Sequence, residues 1–211
     1  MITSEIEDAM KQLMIILLIA LVISIIGCGT ASREIAEHSV SESEDVFHEV
    51  NEAESPQEGF VDLKVLAQIK THPEGFYLLE SRNSLHGKPH YPFLFNIDGQ
   101  AVKWEVKGQK EKGFEHEGCF ADHDCGDGMR YVLVKKIAVR EGTHRVFFGS
   151  PGDNYRTEFE IKLDRGEHYI LELKPVYRRE NYLKGIVRFD VFLNKTKVHQ
   201  ENGGRRPLLD W

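Results

Sequence analysis

The chain has three cysteines, one long apolar run and no helical periodicity longer than ten residues after Ala53. Each shortage narrows what it can be. No Gly-x-Ser-x-Gly, no His-Glu-x-x-His and no phosphate-cradling glycine loop occurs. Local sequence therefore supplies no activated serine, metal-bound water or nucleotide site, and the expectation is a protein that is not an enzyme and has no cofactor. An excess of basic charge is missing too. From Gly59 onward 25 basic residues face 22 acidic ones, a net of +3, which argues against nucleic acid as a partner.

What is present begins with the apolar run Leu13–Ile26, which holds no charge and a single hydroxyl, Ser24. As a helix it spans about 20 Å against a hydrocarbon core of about 30 Å, short for a transmembrane helix and suited to the core of a signal peptide. Signal peptides open on basic residues, yet Met1–Ala9 carries Glu5, Glu7, Asp8 and no Lys or Arg. A start at Met10 leaves Met-Lys-Gln-Leu, a normal basic opening, so translation is expected to begin there. The run ends in Ile25-Ile26-Gly27-Cys28, which resembles the lipobox of bacterial lipoproteins. The resemblance implies cleavage between Gly27 and Cys28, a diacylglycerol on the Cys28 thiol and acylation of the new amino group. The protein would then sit in the bacterial cell envelope, facing the periplasm or the exterior. Gly29 after the cysteine favours the outer membrane if the cell is Gram-negative.

With residues 1–27 removed, about 180 residues remain, enough for one domain and a tail. Between Thr30 and Glu58 stand nine acidic residues and one basic, Arg33, with few apolar positions. Residues 28–58 are therefore expected to form a disordered acidic tether below the domain. A short helix over Ser43–Glu54 is the alternative, because Val46, Phe47 and Val50 sit at helical spacing.

The domain, residues 59–199, reads as strands. Val61, Leu63, Val65, Ala67 and Ile69 alternate with more polar neighbours, and Phe76–Glu80 follows a turn at Thr71–Gly75. Asn83–Pro92 is expected as a loop. Phe93–Ile97 and Ala101–Val106 flank Asp98-Gly99, a type I′ hairpin signal. Tyr131–Val139, His144–Phe148, Thr157–Leu163, Tyr169–Leu173 and Ile186–Leu193 complete the set. Such short strands with turn chemistry every ten or so residues predict an all-β fold, an immunoglobulin-like β-sandwich. Residues 200–211 are expected to be a loose tail, with docking of the apolar end Leu208-Leu209-Asp210-Trp211 as the alternative.

Val139–Lys174 resembles the PEGA domain, a small immunoglobulin-like or transthyretin-like sandwich of bacterial envelope proteins. The residues that carry the likeness are Val139, Glu141-Gly142-Thr143-His144-Arg145-Val146, Phe147-Phe148, Gly152, Phe159–Leu163, Gly166-Glu167 and Tyr169–Leu173, with Phe95–Gly99 as the opening strand and turn. The resemblance implies the fold and a non-enzymatic structural or recognition role towards protein or cell-wall glycan. Lys107–Met129 departs from it as an insertion without strand pattern.

That insertion holds His116, Cys119, Asp122, His123, Asp124, Cys125 and Asp127. With Cys28 taken by lipid, Cys119 and Cys125 are an even number in an oxidising compartment and are expected to pair as a disulfide. The small loop would gain about 2 kcal/mol. The alternative is a metal such as zinc on His116, Cys119, His123 and Cys125, although the paired C-x2-C spacing is absent. It would make the protein a metal-binding or hydrolytic one. A calcium loop of Asp122, Asp124 and Asp127 has too few oxygens. His144 and His168 are expected at the surface. Phe147, Phe148 and Tyr155 read as core, with an exposed patch as the alternative.

Overall fold

Alternation of side chains explains most of the fold in the computed structural model, which describes residues 30–51, 56–76, 83–112, 127–150, 155–180, 183–198 and 200–201. In β2 (Phe60–Thr71) the odd-numbered apolar residues Val61 to Ile69 are buried, as the two-residue period requires. β2 lies in the first sheet between β6 (Gly128–Arg140) and β9 (His168–Glu180). β1 (Phe47–Glu49) and β5 (Gln109–Glu111) both pair with β6, while β10 (Leu183–Leu193) and β11 (Thr196–Lys197) extend the sheet beyond β9. The second sheet runs β12 (Gln200–Glu201), β8 (Tyr155–Leu163), β7 (Gly142–Ser150), β3 (His90–Ile97), β4 (Gln100–Lys107). All described pairings are antiparallel except β2 with β9.

The inner faces of the two sheets share one core, so the protein is an all-β sandwich. Val61, Leu63, Val65, Leu133, Leu171 and Val191 meet Phe93, Phe95, Val146, Phe148, Phe159 and Ile161 across it. Phe148 and Tyr155 are core residues, and Phe147 is buried on the other face of β7. The β3–β4 turn has the geometry that Asp98-Gly99 predicts, with φ of 47° and 88°. A second turn of this kind, Asn194-Lys195 between β10 and β11, also has both residues at positive φ, without a glycine to announce it.

The stretch expected to be a disordered tether is ordered where it is described. Thr30–Glu37 forms helix α1 and Phe47–Glu49 is β1, a strand where the alternative reading had a helix. Neither could fold alone, but each brings an apolar side chain to a surface that the sheets already provide. Ile35 is buried against Leu94 and Phe147 on the outside of the second sheet, and Phe47 enters the core beside Phe95. The ordering cost is met by the partner surface, which composition does not reveal.

Other boundaries also move. β3 starts at His90, inside the expected loop, and tolerates Pro92 because β7 pairs with β3 only from Leu94 onward. β9 and β10 outrun their patterns because they pair with each other from Leu171 to Glu180. The expected insertion contributes β5 and the start of β6 to the first sheet; residues 113–126 lie outside the described residues. The tail begins with β12 on β8, and residues 202–211 lie outside, as do 77–80 of the expected return strand. His144, expected at the surface, is buried. One ring nitrogen meets Asp98 Oδ2 at 2.7 Å and the other the Arg140 carbonyl at 2.6 Å, which ties β7 to the β3–β4 turn. His168 is exposed, 3.1 Å from Asp62.

Candidate functional site

The sequence-predicted site residues Gly27, Cys28, His116, Cys119, Asp122, His123, Asp124 and Cys125 all lie outside the described residues. Of the three aspartates weighed as a calcium loop, Asp127 alone is described, exposed at the foot of β6. What the structure supplies is the ground on which the insertion stands. β5 and β6 form its stem, with Gln109 opposite Arg130 and Glu111 opposite Gly128. Glu111 is bracketed there by Arg130 and by Lys70 of β2, the latter at 3.2 Å.

The Arg130 hydrogen bond holds the Glu111 carboxyl below its ordinary 4.5; desolvation opposes this and Lys70 adds to it. Glu49 and Asp190 are lowered as well. In each, desolvation is the largest influence and pushes upward, but hydrogen bonds win: Lys135 and Trp104 on Glu49, Lys197 and Arg188 on Asp190. A carboxylate with a lowered folded-state pKa contributes stability above its unfolded value and loses it as pH falls through the folded one. The melting temperature is therefore expected to drop on acidification below about pH 4.5. Glu111→Gln should flatten part of that slope in melts at successive pH values. An unchanged slope would show that Glu111 has no share in it.

Beside the stem, two histidines meet. His72 follows the last residue of β2 and His86 lies in the loop before β3. Gly87, at φ +70°, allows that loop to rest on the 72–75 turn, since a Cβ there would lie 2.1 Å from the Glu74 nitrogen. Its own N–H donates to Thr71 Oγ1 at 3.0 Å. His72 Nδ1 donates to the Pro73 carbonyl at 2.9 Å, so its Nε2 accepts, and His86 Nδ1 stands 2.8 Å from it as donor. An imidazole fixed through its far nitrogen to a carbonyl is oriented as metal-binding histidines commonly are. Two imidazoles do not complete a site, and among the described residues no group of three or more His, Cys, Asp or Glu converges on a metal position. The sequence places His86 in the expected loop Asn83–Pro92 and His72 in the turn Thr71–Gly75, and has no signal joining the two.

The second feature is a cleft in the first sheet. β2 and β9 pair in parallel only from Asp62–His168 to Ala67–Leu173 and then part. Tyr177 Oη closes the far end of the gap, accepting the Lys70 N–H at 2.8 Å. Pro175 on the β9 wall has no N–H to offer β2. The fork leaves an open groove of about 670 Å³, with Leu66, Val132, Pro175 and Val176 among its walls and Gln68, Glu172 and Lys174 as polar groups. That size and that mixture of apolar wall and few polar groups suit a ligand site. Val132 is exposed, and Val134 and Ile170 extend the apolar surface outside the cleft. The sequence hides this site, because it depends on β2 and β9 being parallel neighbours about a hundred residues apart.

Among the described residues no helix is long and apolar enough to cross a membrane. No family model, no curated protein and no solved structure matches the chain.

Proposed function

We propose that this is a lipid-anchored lipoprotein of the bacterial cell envelope whose sandwich has a non-enzymatic structural or recognition role, binding protein or cell-wall glycan. The observation that carries the reading is Ile25-Ile26-Gly27-Cys28 directly behind a charge-free apolar run too short to span. One acyl chain holds a protein only marginally, whereas two or three on Cys28 would anchor it permanently. The cleft between β2 and β9 is the seat we assign to the ligand, since it combines apolar wall with Gln68, Glu172 and Lys174 as donors and acceptors. PEGA-like character is part of the proposal. Apart from Gly152, which lies outside the described residues, the residues that carry that likeness fall on the β3–β4 hairpin and on the strands and turns from the end of β6 to β9.

Cys28→Ala tests the anchor. Wild-type protein should take up labelled fatty acid and sediment with membranes, and the variant should do neither. Label entering the variant would end the lipoprotein reading.

One observation favours a second reading, in which the insertion binds metal. The His72–His86 pair lies beside the β5–β6 stem, and His116, Cys119, His123 and Cys125 stand in sequence between its two strands. Stoichiometric metal in the purified domain, with two titratable thiols, belongs to that reading. Its absence, with no titratable thiol, belongs to the Cys119–Cys125 disulfide.

A further inference from the structure

We propose that the sandwich stands directly on the membrane, on the end that carries the insertion, rather than floating above it on a tether. This rests on the lipid-anchored reading of Cys28. The ordered start of the chain shortens the expected thirty-residue spacer to almost nothing. α1 begins at Thr30, Glu34 is ion-paired to Arg156 of β8, and Ile35 is buried against Leu94 and Phe147. The His38 ring stacks on Phe147 at 4.1 Å and its carbonyl accepts from Asn96 at 2.9 Å. Ser41, Glu42 and Ser43 are then bonded to Ala101 and Gly99. From Glu34 to Asn51 the chain belongs to the domain.

Only residues 29–33 separate Cys28 from that first fixed point. Fully extended they reach about 20 Å, and with α1 intact about 13 Å. Nine-residue β8 is itself about 30 Å long, so the free chain is shorter than the domain. The end of the domain nearest the anchor follows from strand register. Arg156 pairs with Gly149, and Gly149 with Leu94, so α1 starts near the end of the second sheet formed by Ser150, Tyr155, His90 and Lys107. The same end of the first sheet holds Thr71, Met129 and the β5–β6 stem, because Tyr131 Oη donates to the Lys88 carbonyl and the Gly108 N–H to that of Pro89. The opposite end carries the Asp98-Gly99 turn, Glu141 and Asp164.

Under this geometry the His72–His86 pair and the β5–β6 stem face lipid headgroups. The far turns face the bulk of the compartment. What the insertion binds would be met at the membrane surface, while the far turns add to the surface presented to large partners such as the cell wall.

Full-length lipidated protein in vesicles containing nitroxide-headgroup lipid tests this, with a fluorophore on a non-natural residue placed at Lys107 or at Asp164. Both positions are exposed. Emission at position 107 should be quenched at least twofold more than at 164. A twenty-residue Gly/Ser segment inserted between Gly29 and Thr30 should erase the difference. Equal quenching at the two positions in protein whose Cys28 lipid is verified by mass would overturn the orientation and leave the anchor standing. Protein that carries no lipid and does not float with the vesicles would instead overturn the anchor, and this inference with it.

Discussion

Phe148→Ala is expected to cost about 3–5 kcal/mol, a large share of a total domain stability of order 5–15 kcal/mol. The Phe148 ring has no solvent exposure. It stacks on Phe93 of β3 at 5.7 Å and meets the edge of Phe189 of β10 at 5.2 Å, so one side chain joins the two sheets. Phe189 in turn meets Tyr155, and the void left by alanine would be lined by rings held in place from several strands. Such a site collapses poorly, which places the cost high in the range. Phe147 supplies the control. It is almost as buried, but on the outer face under Ile35 and His38. Phe147→Ala should loosen α1 and cost the sandwich much less. Urea denaturation of the two variants checks this, and equal losses would show that Phe148 does not bridge the sheets as described.

That pair also shows what the sequence could and could not tell. Phe147-Phe148 read as core from the strand pattern, and both are buried. Which of them faces the other sheet depends on the inward parity set by Val146, which the same alternation contains. The sandwich, the Asp98-Gly99 hairpin and the buried face of β2 were likewise legible, because each follows from two-residue periodicity or a turn with a steric requirement. The misses share another cause. Residues 30–51 were judged by their own composition, yet Ile35 and Phe47 find burial on strands far along the chain. His144 was judged by type, while its burial comes from Asp98 and the Arg140 carbonyl supplying a partner for each nitrogen. The cleft and the histidine pair needed the parallel register of β2 with β9 and the fold of two loops, neither of which has a local signature. Cys28 and the Cys119–Cys125 segment, candidates drawn from sequence alone, lie outside the described residues and are of the opposite kind. Their chemistry is written in consecutive residues and needs no tertiary contact to be noticed.

Gln100→Ala is expected to detach the segment from Ser41 to Val50 and to cost about 2–4 kcal/mol, since several backbone groups would lose their partner at once. The Gln100 side chain acts here as a piece of strand. Its Oε1 accepts from the Val46 N–H at 2.7 Å and the Phe47 N–H at 3.1 Å, and its Nε2 donates to the Phe47 carbonyl at 2.8 Å. The segment it fastens covers the side of the sandwich where β4 and β6 would otherwise gape. There Phe47 fills the core, and Glu49 links Trp104 of β4 at 2.6 Å to Lys135 of β6 at 2.7 Å. Glutamate at position 100 would keep both acceptor bonds and lose the donor, so Gln100→Glu should fall between wild type and alanine. Amide hydrogen exchange at Val46 and Phe47 reads the effect directly. Both should exchange at least tenfold faster in Gln100→Ala, while the amides of Leu63 and Phe148 exchange much less altered. If Val46 and Phe47 keep their protection in that variant, the pairing of β1 with β6 is sufficient to hold the segment and Gln100 is a passenger.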